Sequence, residues 1–257
     1  MKRKTKTRLN PETADLGELL GYLGLRITAA GTDGLIAEAV KHNWSHLKFL
    51  EALVSREAAA KRERSIAARV AQAGFPVIKT VDSFDFAFPK SVPRDRILAA
   101  MSLRFIEGKE GFIFLGEPGT GKTHLATAIG YGACLGGYSA RYTTAIDMIN
   151  DLQAAQAGHQ LRKAMGAYKR PELLIIDEVG YLPFDDKGSN LFFQIISARY
   201  ETGSTILTTN QPFAKWGETF ANNTVASAIV DRLSHHNELI RITGDSYRAH
   251  KRKQSKE

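Results

Sequence analysis

The chain has little of what secreted or membrane proteins require. Its 257 residues include a single cysteine, Cys134, so no disulfide can form within the chain. The longest strictly aliphatic run, residues 173–176, is far shorter than the ~20 residues that span a bilayer. The N-terminus also lacks the apolar core of a secretion signal. We therefore expect a cytoplasmic protein without a disulfide framework and without a membrane partner.

Positive charge is concentrated at the two ends of the chain. The net charge is +8, of which residues 1–10 contribute +5 and residues 248–257 contribute +4, so the remainder is close to neutral. We interpret residues 1–9 and 248–257 as basic tails. Such tails are typical of arms that neutralise nucleic-acid phosphates, but they also occur where they only keep a protein soluble.

Residues 10–74 have the periodicity of a small helical domain. Glycine, threonine and aspartate predict helix breaks at residues 31–34 and around Asn43, and the clearest helix extends from near Ser45 to Gly74. Its apolar stripe begins with Leu47, Leu50, Leu53, Val54 and Ala58. Its polar face carries a surplus of cations, which is either a DNA-contacting surface or a solvated face; the candidates for DNA contact are Lys61, Arg62, Arg64 and Arg69.

The pattern changes after residue 74. Three prolines and several phenylalanines in residues 75–95 predict a linker that packs on the domain that follows. From residue 96 to 247, helical segments alternate with short apolar runs at residues 112–115, 140–142, 173–176, 205–208 and 239–242. Continuous apolarity is typical of strands buried on both faces, and helices between such strands imply right-handed crossovers. The predicted fold class is α/β, a parallel sheet with helices on both faces.

A glycine-rich loop directly follows the first apolar run. It fits the phosphate-binding pattern G-x-x-x-x-G-K-[ST], which a chain of this length matches by chance about once in a hundred, and it consists of Gly116, Glu117, Pro118, Gly119, Thr120, Gly121, Lys122 and Thr123. The helix that begins here, with His124 in its first turn, offers backbone N–H groups and a partial positive charge to an anion. We expect Lys122 to reach the β- and γ-phosphates and the Thr123 hydroxyl to bind Mg²⁺.

Two more strand ends carry polar residues. Asp177 and Glu178 follow the third apolar run, and ligands of open α/β sheets bind at the carboxyl ends of the strands. Asp177 is therefore expected to hold the metal through water, and Glu178 to orient and polarise the attacking water. Asn210, which follows the fourth run, is positioned to sense the γ-phosphate. Together these residues predict a nucleotide hydrolase.

With these motifs in place, nearly the whole chain resembles the IstB-like helper ATPases of insertion sequences, which are AAA+ proteins related to DnaC and DnaA. The resemblance rests on GEPGTGKTH at residues 116–124, LIIDEVGYLP at 174–183, TILTTN at 205–210, VDRLSHH at 230–236 and GDSYR at 244–248.

The resemblance implies a role for each matching residue. Lys122 and Thr123 would bind ATP and Mg²⁺, Asp177 and Glu178 would form the Walker B pair, and Asn210 would be sensor 1. Arg232 matches the arginine that such ATPases insert into the neighbouring subunit's site, and Arg248 is a candidate for sensor 2. Either arginine could instead be a structural ion-pair partner.

The C-terminal helical lid of most AAA+ proteins does not fit into the residues after the last strand. We therefore expect the nucleotide site to be closed by the Phe84–Phe88 part of the linker or by a second copy of the chain, in a homo-oligomer with active sites at subunit interfaces. Residues 143–167 contain Arg162 and Lys163 and lie where the initiator relatives carry an extra helix. This segment either contacts DNA or is an ordinary crossover helix.

The leading functional hypothesis is an ATP-dependent, duplex-DNA-binding ATPase that prepares a target site and stimulates a partner transposase. The alternative is a helicase loader that binds a replicative helicase and single-stranded DNA. A small-molecule P-loop kinase is disfavoured, because Glu178 beside the metal-binding acid suits attack by water.

Overall fold

The computed structural model describes residues 11–89 and 91–247. Its internal contacts divide the chain after Ala67 into a helical unit and an α/β unit. Among the described residues, no helix is both long and apolar enough to cross a membrane.

The first unit contains helices α1 (Leu16–Tyr22), α2 (Arg26–Lys41) and most of α3 (His46–Ala73). The break expected at residues 31–34 is wrong, because α2 continues through this segment. The Thr32 hydroxyl donates to the Thr28 carbonyl at 2.6 Å, which satisfies its polar group within the helix. Burial of Leu35 adds tertiary packing, which commonly overrides weak helix propensity. The break at Asn43 is confirmed by a left-handed φ of 48°.

Helix α3 begins one residue after Ser45 and ends at the residue before Gly74, as predicted. The apolar stripe of α3 is largely exposed. Leu47, Leu50 and Val54 are each more than half exposed, whereas Glu57 is buried and accepts a hydrogen bond from the Thr28 backbone N–H at 3.1 Å. A polar contact to α2 thus lies on the side of α3 that carries the apolar stripe.

The second unit is built on a five-stranded parallel sheet. The strands are β1 (Gly111–Gly116), β2 (Ala140–Thr144), β3 (Leu173–Val179), β4 (Ser204–Thr209) and β5 (Asn237–Ile242), and their order across the sheet is β2, β3, β4, β1, β5. The helices are α4 (Arg94–Ala100), α5 (Arg104–Glu107), α6 (Lys122–Gly136), α7 (Ala145–Ala157), α8 (Leu161–Lys169), α9 (Asp186–Arg199), α10 (Trp216–Thr219) and α11 (Asn223–His236). A short 3₁₀ turn, Phe213–Lys215, precedes α10.

Both faces of the sheet are buried, which confirms the predicted layer structure. Phe112, Phe114 and Ile175 belong to a core formed with α4 to α6, and Ile113 and Ile176 belong to a second core formed with α7, α9 and α11. Successive strand residues point to opposite faces, and here each face meets helices. The continuous apolar runs in the sequence arise from this double burial.

The 75–95 segment packs on the α/β unit, as expected. Val81, Phe84 and Val92 are buried in the core that includes α6. The Phe84 ring contacts the rings of Phe86 and His124 at 4.9 and 5.2 Å between centroids. This segment therefore forms part of the surroundings of the glycine-rich loop.

Arg199, the last residue of α9, is a buried cation that joins several elements. Its guanidinium donates to the Thr205 hydroxyl at 3.2 Å and to backbone carbonyls at the end of α8, in the α8–β3 connection and in β4, including Tyr168 at 3.0 Å and Pro171 at 2.8 Å. Burial lowers the pKa of Arg199 to about 10, so the side chain remains charged at neutral pH. Its planar fork of donors satisfies carbonyl groups that would otherwise be buried without partners.

We expect Arg199→Lys to lower the free energy of unfolding by about 2–4 kcal/mol, because an ammonium group cannot reach the same carbonyls and leaves some of them unsatisfied. Urea unfolding followed by circular dichroism measures the change. Arg170→Lys, at an exposed position, is the matched control and should change the free energy by less than about 0.5 kcal/mol. Equal stability of the two variants would contradict this role of Arg199.

Candidate active site

The glycine-rich loop connects β1 to α6 at the carboxyl edge of the sheet. Gly119 and Gly121 have φ values of 84° and 94°, in the left-handed region that favours glycine. The Lys122 ammonium is buried and donates to the carbonyl oxygens of Gly116 and Glu117 at 2.7 and 2.8 Å. The loop thus curls around its own lysine at the N-terminus of a helix, an arrangement that suits anion binding.

A cavity of about 450 Å³ opens over this loop. Residues from several segments line it, including Phe84, Phe88, Thr123, His124, Glu178 and Tyr247. Its walls combine aromatic rings with polar and charged groups. This combination is typical of small-molecule sites.

The wall beside the loop comes from two segments of the same chain. A Cβ added to Gly121 would lie 2.6 Å from the Phe84 ring, and one added to Gly119 would lie 2.2 Å from the Ser246 hydroxyl. The Tyr247 backbone N–H donates to the Gly119 carbonyl at 3.0 Å. The linker therefore lines the site, as expected, and residues just after β5 line it as well.

His124 joins the linker to the start of α6. Its Nε2 lies 3.0 Å from the Thr80 carbonyl oxygen and 3.3 Å from the Ser83 hydroxyl. Burial, together with the positive charge of Lys79, lowers the pKa of His124 despite the hydrogen bond to Thr80. The lowered pKa favours the neutral form of the ring.

Asp177 is the polar centre of the sheet edge. It is buried, and Thr123 donates to its Oδ1 at 3.1 Å, while Tyr142 donates to its Oδ2 at 2.6 Å. The Thr208 hydroxyl also donates to Oδ1. A buried carboxylate needs such partners, because an unpaired one would carry a large desolvation cost. The two residues predicted to hold the metal, Thr123 and Asp177, are thus in direct contact.

Glu178 lies at a β-bulge of β3. Ile176 pairs with Leu207, but Val179 pairs with Thr209, so β3 holds one extra residue relative to β4. Glu178 has a left-handed φ of 62° and is exposed at the cavity, while its N–H donates to the Thr208 hydroxyl at 3.0 Å. The bulge gives two adjacent acids separate environments.

Asn210 lies directly after β4, the strand that neighbours β3 with Asp177 and Glu178. Its Oδ1 is buried and has no hydrogen-bond partner among the described residues. Such an unsatisfied oxygen costs about 1–3 kcal/mol unless a further group binds to it. The position fits a residue that contacts a water molecule or a phosphate.

Arg232, on α11, does not line the cavity over the loop. Its Nη1 donates to the Ala228 carbonyl at 3.0 Å, and its guanidinium lies 4.8 Å from the centre of the Phe193 ring. Within one copy of the chain the described structure therefore does not bring Arg232 to the loop. Arg248 lies outside the described residues, as do both basic tails.

The candidate DNA-contacting residues occupy two places. Lys61 and Arg62 are exposed on α3, whereas Arg64 forms an ion pair with Glu57 at 3.1 Å. Arg69 is half-buried in the part of α3 that belongs to the α/β unit. Arg162 and Lys163 are exposed in the first turn of α8.

Sequence reasoning missed Tyr142, the phenol that contacts Asp177. Burial and its hydrogen bond to Asp177 raise the pKa of Tyr142, so the phenol keeps its proton and acts as a donor. Tyr142 lies on β2, and its pairing with Ile175 on β3 brings it near Asp177. A hydroxyl near the end of a strand was the available signal, but the sequence did not say that β2 adjoins β3.

Comparison with known proteins identifies a family that matches most of the chain. The family of IstB-like ATP binding proteins matches residues 18–255. The chain is 39% identical to the ATP-binding protein of insertion sequence IS5376 from Geobacillus stearothermophilus, over 91% of this chain and 94% of that protein. It is 36% identical to the IS21 ATP-binding protein of Pseudomonas aeruginosa, over 91% of this chain and 88% of that protein.

Solved structures give the same fold. The DnaC helicase loader superposes with a TM-score of 0.54 and 26% identity, covering 63% of this chain and 96% of that one. AMPPCP-bound DnaA from Aquifex aeolicus superposes with a TM-score of 0.57 and 22% identity, covering 72% and 57%. The α/β unit has the AAA+ fold of these proteins, and the chain belongs to the family of IstB-like, IS21-type ATP-binding proteins of insertion sequences.

Proposed function

We propose that the protein is a Mg²⁺-dependent ATPase whose catalytic residues are Lys122, Asp177, Glu178, Asn210 and Arg232. The observation that carries this proposal is the 3.1 Å contact between the Thr123 hydroxyl and the Asp177 carboxylate, at the end of a phosphate-binding loop. A hydroxyl and a carboxylate are the hard oxygen ligands that Mg²⁺ prefers. Membership in an ATP-binding family supports ATP as the nucleotide.

The cavity suits a nucleoside triphosphate. The phosphates would lie on the loop from Gly116 to Thr123, with the Lys122 ammonium turning from its carbonyl partners to the phosphate oxygens. The aromatic rings of Phe84, Phe88 and Tyr247 line the same cavity and suit a purine base.

The acids divide the chemistry between them. Thr123 and Asp177 would hold Mg²⁺, which when bound polarises the phosphoryl oxygens and offsets their charge. Glu178, exposed to the cavity by the bulge, would orient the attacking water and accept its proton. The unsatisfied oxygen of Asn210 would accept a hydrogen bond from the same water. Tyr142 and Thr208 act as positioning residues, because they fix the Asp177 carboxylate.

Arg232 would act from a second copy of the chain. Its place away from the cavity of its own chain supports a site shared between subunits of a homo-oligomer. A guanidinium inserted there stabilises the charge that develops on the transferred phosphoryl group.

In the cell, we propose that ATP binding controls assembly of this oligomer on double-stranded DNA, where it selects or remodels a target site and stimulates the transposase of the same mobile element. The curated relatives named above are ATP-binding proteins of insertion sequences and match about nine-tenths of this chain. Without a recognisable sequence-reading module, DNA would be bound through its backbone and its deformability.

A helicase loader is the second candidate. The observation that favours it is the DnaC structure, nearly all of which is covered by the superposition. That superposition covers 63% of this chain, whereas the insertion-sequence relatives cover 91%. The larger share of the chain matched by the insertion-sequence relatives favours the transposition role.

We expect Tyr142→Phe to reduce kcat for ATP hydrolysis by about tenfold and to raise the Mg²⁺ concentration needed for half-maximal activity, because Asp177 loses a hydrogen bond that orients it. The KM for ATP should change little. Tyr138→Phe is the matched control, since the Tyr138 hydroxyl contacts Glu107, which is not a site residue. A Mg²⁺ dependence identical to that of the unaltered protein would contradict a positioning role.

Mixing Arg232→Ala with Lys122→Ala protein, each inactive alone, should restore up to about a quarter of the normal phosphate release if subunits mix at random in a symmetric oligomer. Each recovered site would combine an intact loop from one subunit with an intact arginine from its neighbour. The doubly substituted protein mixed with Arg232→Ala is the control and should stay inactive. Absence of recovery in the first mixture, with oligomers present, would exclude a shared site.

Removal of charge at Arg162 and Lys163 should flatten the dependence of log affinity for duplex DNA on log salt by about one unit per lost phosphate contact. Lys187→Ala, at an exposed position on α9, is the charge-matched control for each single substitution, Arg162→Ala or Lys163→Ala. If the slope of log affinity against log salt does not change, Arg162 and Lys163 do not contact the DNA phosphates. The same titrations with single-stranded DNA separate the two functions, because a transposition helper should prefer duplex DNA and a loader the single strand.

A further inference from the structure

A second cluster of polar side chains lies outside the cavity over the loop. Glu201, in the turn between α9 and β4, meets His235 and His236 at the end of α11. One ligand atom from each of the three residues lies within 4.8 Å of the others. Among the described residues, this is the only group of three or more histidine, cysteine or acidic side chains that comes so close together.

The backbone brings these side chains to one place. Glu201 has a left-handed φ of 58° in the tight turn that returns the chain to β4. The two histidines occupy the last turn of α11, and their ring centroids are 4.1 Å apart. His236 Nε2 lies 3.4 Å from Glu201 Oε1. The C-terminal end of a helix carries partial negative charge, which favours a bound cation.

Tyr200 supplies a contact that metal-binding histidines commonly have. Its hydroxyl lies 2.5 Å from His235 Nδ1. A histidine that binds a metal through one nitrogen usually directs the N–H of the other nitrogen to an oxygen acceptor, which fixes the ring and its tautomer. With Nδ1 bonded to Tyr200, Nε2 of His235 is the nitrogen that remains for a metal.

The surrounding charges are mixed. Burial and then the charges of Glu201 and Asp231 raise the pKa of the Tyr200 phenol, and the charge of Arg232 opposes them. Arg232 lines a small cavity with Glu201 and His236, and two further cations, Lys109 and Arg199, line the same cavity. Its guanidinium donates a hydrogen bond to the Ala228 carbonyl, one turn earlier in α11.

We propose that Glu201, His235 and His236 form a binding site for a divalent transition-metal ion of the zinc class. Two imidazoles and one carboxylate match the ligand types of zinc, and solvent can complete a four-coordinate shell, because Glu201 and His235 are exposed. A bound ion connects the end of α11 to the turn after α9. Within one chain the site shares no residue with the cavity proposed for ATP and Mg²⁺, and its Zn²⁺ binding does not depend on the function proposed above.

The test is a calorimetric titration of the full chain with Zn²⁺, after treatment with EDTA and in excess Mg²⁺, which competes for hard oxygen ligands such as those of the loop. We expect the unaltered protein to bind one Zn²⁺ per chain. In His236→Ala and in Glu201→Gln, binding should be lost or its affinity lowered at least about tenfold, and in Tyr200→Phe the affinity should fall about tenfold. His42→Ala, at an exposed histidine of the helical unit, should bind Zn²⁺ like the unaltered protein.

Two measurements keep the result decisive. Circular dichroism establishes whether each variant is folded. If His236→Ala does not fold, the nearly isosteric Glu201→Gln carries the test. Titration with Co²⁺ should give a visible absorption band typical of nitrogen and oxygen ligands in the unaltered protein, and the band should be lost in both variants. Undetectable Zn²⁺ binding, or equal affinity in the unaltered protein, His236→Ala and Glu201→Gln, would overturn the proposal and leave the cluster as a surface ion pair with stacked rings.

Discussion

The structure of the candidate active site depends on the burial of one carboxylate. Asp177 sits at the carboxyl end of a central strand with its side chain removed from solvent, so each of its oxygens needs a donor. Thr123, Tyr142 and Thr208 provide hydroxyl donors, and they come from α6, β2 and β4. Because these elements converge on one side chain, the fold of the sheet and the geometry of the loop are fixed together.

A β-bulge then separates two acids that are adjacent in sequence. In a regular strand Asp177 and Glu178 would already point to opposite faces, but the extra residue also turns Glu178 into the left-handed region and exposes it at the cavity. Thr208 connects the two acidic residues, since its hydroxyl donates to Asp177 and accepts from the Glu178 N–H. Strain in the backbone at this point is typical of functional sites.

Local patterns identified much of the α/β unit. The five apolar runs coincide with the five strands because double burial leaves a continuous apolar signature. The glycine-rich loop was equally clear, because its conformation requires glycine at specific positions. The helical unit was harder. Residues 31–34 contain weak helix formers and still belong to α2, and the exposed Leu47 and Leu50 show that apolar spacing alone did not identify the buried face of α3.

The sequence by itself determined the strands, the phosphate-binding loop, the acid pair and the family resemblance, because each depends on residues close together along the chain. Only the tertiary structure decided which strands are neighbours, and therefore that Tyr142 contacts Asp177 and that Ser246 and Tyr247 lie against Gly119. It also brought Glu201 to His235 and His236. Contacts between distant residues depend on strand order, strand register and loop closure, and none of these is encoded in a short stretch of sequence.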